Sequence, residues 1–198
     1  MPLSEPAPRE QEHTRTITMK GYRRKDGLWD IEGHLRDTKT FEFENRERGR
    51  LAVGDPVHDM WLRLTVDESF VIHDAEAHMD ARPYALCERI TPSFKKLKGV
   101  HIGPGWTRKV KELLGGVRGC THLVEMLAPM GSVAFQTIGS RERSETVRDG
   151  GYMTGPGGEV PRFINACHAL RTDSSVVELE FPQFYTGGNG DGETPAAE

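Results

Sequence analysis

Long hydrophobic runs are missing from this chain. No stretch approaches the roughly 18 apolar residues that a membrane span needs, so no membrane partner is expected. The opening segment, "MPLSEPAPREQEH", holds no apolar run of the kind a secretory signal carries. Cysteine is scarce as well, at three in 198 residues. An odd count without a secretory context favours reduced thiols and a cytoplasmic location over a disulfide framework. Neither sign of charge dominates. The 26 basic and 30 acidic residues leave a net charge of −4, which gives no sequence-wide footprint for nucleic acid. The chain has no GxxxxGK[ST] loop and no GxSxG elbow, and "GPGW" and "GPGGEV" lack the βαβ setting of a dinucleotide fingerprint. Kinase, Rossmann and α/β-hydrolase readings drop away, and no nucleotide cofactor is expected. There is no CxxC knuckle either, so a structural zinc ribbon is not expected.

What remains is polar but sufficient for one core, with 36% hydrophobic residues. Residues 1–13 and 186–198 lack periodicity and are rich in Pro, Glu and Gln or in Gly, so both ends are expected to be disordered. A single domain is expected over 14–185. Its first half alternates as strands do. "RTITMKGYR" leads through Asp26-Gly27 into "LWDIEGHLR", which places Trp29, Ile31 and Leu35 on one face. "MWLRLTV" aligns Met60, Leu62, Leu64 and Val66, and "DES" turns the chain into "FVIHDAEAHMD". The second half has helical spacing over 83–97, over 106–114, from Cys120 to Pro129 and over 161–171, with a glycine-rich loop before the last. The pattern predicts an α+β fold, a four-stranded antiparallel sheet covered on one face by three to four helices.

Two couplings of cysteine with histidine stand out among three cysteines and eight histidines. In "RGCTHLVEM", glycines 115, 116 and 119 feed a helix start at Cys120, where unpaired N–H groups and the helix dipole favour a thiolate. His122 cannot share a helical face with Cys120, yet both reach a common point if Cys120 precedes the first turn. Glu125 follows His122 by three residues and can orient its ring. The alternative is a small packed cysteine. Cys167 and His168 adjoin in "NACHAL", where Cys167 also fits an apolar stripe. On the last strand Asp74, Glu76, His78 and Asp80 share a face, which is either solvated or enters a polar pocket. The presence of Phe70 and Ile72 ahead of them in the same alternation favours the pocket. Mixed Cys, His and Asp sets suit zinc or iron, and three ligands with one open position make a catalytic site.

At "AEAHMDARPYALCERI", "RGCTHLVEML" and "INACHALRTDSSVV" the chain resembles the bacterial family called domain of unknown function 2889, over most of 14–182. That resemblance implies little mechanism beyond a link to aromatic-compound catabolism. In the order of its parts the chain also resembles NifU-type iron–sulfur scaffold proteins, which set ligands at a strand end, at a glycine-preceded helix start and in a late His/Cys couple. The matching positions here are Asp80 or its neighbours, Cys120 after Gly119, and Cys167 with His168. The missing strand-end cysteine and the reversed Cys-His order favour a mononuclear metal over a cluster.

The expected function is therefore a cytoplasmic enzyme of lyase or hydrolase type with one zinc or iron ion held by His78, Asp80, Cys120 and Cys167. His122 and His168, with Glu125, take acid–base or orienting roles. A small organic substrate, aromatic in the simplest case, sits between Trp106 and Tyr84, with Arg82 a candidate for its carboxylate. A metal or iron–sulfur carrier and a non-catalytic ligand-binding domain are the rivals. Self-association into a homo-oligomer stays open.

Overall fold

A computed structural model describes residues 3–148, 160–161 and 163–187. The expected glycine-rich loop and the last eleven residues of the tail lie outside that range. The chain divides into two compact units, Met1–Arg141 and Glu142–Glu198. Among the described residues no helix is long and apolar enough to cross a membrane.

The first unit runs through β1 (His13–Arg23), β2 (Trp29–Lys39), β3 (Phe43–Asn45), β4 (Gly49–Leu51), β5 (Pro56–Val66) and β6 (Ile72–Ala81). Strands β1, β2, β5 and β6 form one antiparallel sheet in that order, and β3 and β4 pair as a separate short hairpin in the connection from β2 to β5. The Asp26-Gly27 turn closes the first hairpin, with Gly27 at φ +86° and Arg24 N–H donating to the Leu28 carbonyl at 2.8 Å. Alternation assigns the faces as expected. Trp29, Ile31, Leu35, Met60, Leu62, Leu64 and Val66 are all buried on the inner face.

That face is covered by α1 (Trp106–Leu114), by the part of α2 (Thr121–Arg148) that lies in this unit, and by a 3₁₀ run over Ala85–Leu97. The α+β class with one covered sheet face stands as expected. Two helical expectations are corrected. The 83–97 segment winds as 3₁₀ rather than α-helix, with Pro92 inside it. Helix α2 does not stop at Pro129. Proline removes one N–H, but Met126, Leu127, Met130, Ala134 and Ile138 are fully buried on either side of it, and that packing outweighs the lost bond.

A third correction concerns β6. Its pairing with β5 shifts register between Thr65 and Val66, so Ile72 faces Val66 while Asp74 faces Thr65 and His73 is left over. This bulge turns Ile72 inward, where it is buried, and leaves Asp74, Glu76, His78 and Asp80 exposed on the outer face. The polar stripe does not continue an apolar one and meets solvent. Just ahead of it Phe70 closes the turn with a left-handed backbone, φ +63°, and its ring stacks on Phe135 of α2 at 4.4 Å.

In the second unit, residues expected as a helix over 161–171 form turns and a short 3₁₀ segment, His168–Leu170. Asn165 takes φ +60° there, its N–H donates to the Leu170 carbonyl, and its side chain accepts from Thr172 N–H. Asparagine tolerates that conformation and breaks the helical run. Helix α3 (Ser175–Glu180) follows, capped by the Ser174 hydroxyl accepting from Val177 N–H. Ile164, Val177 and Phe181 make a small core of their own.

Helix α2 passes so close to β1 that Gly21 has no room for a side chain. A Cβ there would lie 2.0 Å from Thr137 Oγ1 and 2.5 Å from its Cγ2. Gly21→Ala is expected to lower stability by roughly 1–3 kcal/mol, read as a lower urea midpoint. Thr137→Ala in the same chain removes both nearest atoms and should restore part of the loss.

Candidate functional site

The inner faces of β2 and β5 stay apolar until their far ends, where each turns polar. On β2 the buried series Trp29, Ile31, Gly33, Leu35 ends in Asp37, and on β5 the series running back from Val66 to Met60 ends in His58. Asp37 is the direct cross-strand neighbour of Arg15 on one side and His58 on the other. Its side chain is 2% exposed and carries four contacts. Arg15 donates from Nε and Nη2 to the two carboxylate oxygens at 2.8 Å each, His58 Nδ1 lies 2.9 Å from Oδ2, and His13 Nε2 lies 3.2 Å from Oδ1. Three of these are hydrogen bonds, so most of the roughly four lone-pair sites of the carboxylate are engaged.

Helix α2 brings the next layer. The His122 ring lies against His58, with centroids 3.9 Å apart and a 33° tilt. Glu125 reaches Arg15 Nη1 at 2.6 Å. The carboxylate of Asp37 and one nitrogen from each of His58 and His122 lie within 4.8 Å of one another, the one such group that could hold a metal among the described residues.

The electrostatics follow from this packing. Burial pushes Asp37 upward, but the Arg15 and His58 hydrogen bonds outweigh it and hold the carboxyl at about 2. Burial lowers His58 below its usual value, more than Asp37 raises it. Burial and the neighbouring His58 and Arg15 charges lower His122 likewise. Both imidazoles are therefore neutral near pH 7, the form that accepts a proton or binds a metal.

The residues singled out in the sequence fall into different places. His122 is in this group, and Glu125 adjoins it, paired with Arg15 rather than with the His122 ring. Cys120 is half-buried with Sγ 3.9 Å from His122 Nδ1. His78 and Asp80 lie on the outer face of β6 with side chains 62% and 56% exposed, bonded to each other at 3.0 Å. Asp80 also accepts from Trp61 Nε1, and Trp61 stacks flat on His34 at 3.8 Å. Cys167 and His168 are exposed in the second unit. Trp106 is a buried side chain whose indole N–H donates to the Leu127 carbonyl, while Tyr84 is exposed. Arg82 is held by the Met79 carbonyl and Glu88.

Residues 13–136 match the family model described as "Protein of unknown function (DUF2889)". The chain belongs to the DUF2889 family. No curated protein and no solved structure matches it. In this DUF2889 chain the matched span contains His13, Arg15, Asp37, His58, His122 and Glu125, whereas Cys167 and His168 lie beyond it. Arg15, Asp37 and His58 escape a reading that looks for paired cysteines and histidines. Their signal is a polar residue in the inward register at the end of an apolar stripe on two strands.

The pH dependence of stability follows in sign. An unfolded histidine titrates near ~6.5 and an unfolded aspartate near ~3.9. His58 and His122 titrate lower in the fold, so the unfolded chain binds more protons as pH falls through about 6.5 and stability begins to drop there. Asp37 at about 2 adds a second loss between about pH 4 and pH 2. Melting curves from pH 8 down to pH 3 should show both limbs. His122→Gln is expected to flatten the upper one, and Asp37→Asn to lower stability near neutrality and flatten the other.

Proposed function

We propose that this DUF2889 chain is a cytoplasmic lyase or hydrolase for a small organic substrate, with His58 as its general base and His122 as its proton partner. One observation carries the reading: the His58 ring is fixed through Nδ1 by a buried Asp37 that Arg15 holds at both oxygens, and its Nε2 has no hydrogen bond among the described residues. A carboxylate that already holds an arginine in two-point contact does not compete for substrate. It sets the tautomer and aim of the imidazole. The lowered proton affinity of His58 keeps it neutral at working pH, which general-base catalysis requires. A cleft of about 330 Å³ lies between the end of α1 and the start of α2, and Glu125, the partner of Arg15, is among the residues that line it.

The close approach of Asp37, His58 and His122 favours a second reading, a mononuclear zinc or iron centre. His58 and His122 would be its ligands, with Asp37, already hydrogen-bonded to Arg15 and His58, orienting His58 or completing the set. Water on such an ion would supply the nucleophile or base.

Two measurements separate these. Long-range ¹H–¹⁵N spectra should find His58 with its proton on Nδ1 and titrating below 6.5, and Asp37→Asn should abolish the tautomer preference. A proton on Nε2, or titration at the ordinary value, would overturn the base assignment. Metal analysis of untagged protein, with calorimetric titration of Zn²⁺, tests the second reading. One equivalent per chain, lost in His122→Ala, supports it, and no saturable binding rejects it. Once a substrate is in hand, His58→Ala is expected to lower kcat by about 10²–10⁴-fold.

A further inference from the structure

A second cleft lies where the "GPGW" turn meets α2, with a volume of about 270 Å³. Ile102, Trp106 and Phe135 supply its apolar walls, Gly131 and Ser132 its α2 side, and Arg108 the one charged group among the described residues that line it. Gly131 sets how deeply the walls can close. A Cβ at that position would lie 3.2 Å from Trp106 Nε1 and 3.3 Å from Ile102 Cγ2. Among the described residues no acidic side chain lines the cleft. Arg108 has no ion-pair or hydrogen-bond partner among the described residues, and its guanidinium lies 3.5 Å from where a Gly105 Cβ would be, folded over the turn.

Arg15, Arg24, Arg63, Arg82 and Arg171 each meet a carboxylate of this chain. Arg108, like Arg9, Arg46 and Arg89, meets none among the described residues, and of these four it is the one that lines the cleft, beside the apolar side chains of Ile102, Trp106 and Phe135. A guanidinium presents a planar fork that matches a carboxylate at two points. Pockets for drug-sized ligands begin at roughly 300 Å³, so this one suits a smaller molecule.

We propose that this cleft binds a small organic carboxylate with an aryl or branched-alkyl body, its carboxylate on Arg108 and its body against Phe135 and Trp106. The site is separate from the Asp37–His58 group and stands without it.

The test is titration of the full chain with benzoate, followed by ¹H–¹⁵N spectra that include the Trp106 indole. Neutral benzamide and bodiless acetate are the controls. Benzoate should give saturable shifts confined to residues 102–108 and 128–135. Benzamide and acetate should each bind about ten-fold more weakly or worse, the loss expected when a charge-assisted bond or the apolar contact is missing. Arg108→Met should weaken benzoate by at least about ten-fold, with Arg108→Lys recovering part. Ser132→Phe, at an exposed helical position, should fill the cleft and abolish binding without lowering the melting temperature. The proposal fails if benzoate gives no saturable shifts, if benzamide or acetate binds equally well, or if Arg108→Met leaves the affinity unchanged.

Discussion

The Asp37 carboxylate is where the first unit ties its sheet to its longest helix. A charge removed from water costs several kcal/mol unless every lone pair finds a donor, and here the donors come from two neighbouring strands. Arg15 and His13 reach it from β1, and His58 from β5. Arg15 then extends the network to Glu125 on α2. A one-residue slip of β1 or β5 would carry Arg15 or His58 to the solvated face and strand a buried charge. The network therefore adds register and position to a core whose apolar side chains alone are more forgiving of such errors.

The same sheet carries imidazole–carboxylate pairs on both faces. On the inner face His58 meets Asp37, and on the outer face His34 meets Asp59 at 2.5 Å and His78 meets Asp80. The chemistry of the pairs is alike, and their surroundings differ. The inner pair sits half-buried against α2 and His122, where burial lowers the proton affinity of His58, whereas the His78–Asp80 pair stands in water, where exposed ion pairs contribute little. Environment, more than residue type, sets the inner pair apart.

Much of the fold was legible because alternation is a strong signal. The four long strands, the buried faces of β2 and β5, and α1 all follow from period-two and helical spacing. What was not legible depends on irregularity. The extra residue at His73 inverts the relation between Ile72 and Asp74, and no local feature of "FVIHDAEAHMD" announces it. Continuation of α2 past Pro129 depends on burial supplied by other elements, and Asn165 ends a helical pattern that composition alone supports. At the site, His122 and Glu125 were visible as a helix-start motif. Asp37 and His58 were not, since their meaning comes from a partner strand many residues away.

Phe70 sits in a backbone conformation that costs an ordinary residue about 1–3 kcal/mol, offset by its stacking on Phe135 together with the hydrogen bond from its N–H to the Asp67 carbonyl. Phe135 is also a wall of the Arg108 cleft. The Phe70 carbonyl also accepts from the N–H of Ile102, a second wall residue. The tip of the last hairpin and the cleft are thus built on the same two residues, so a substitution at Phe135 bears on both.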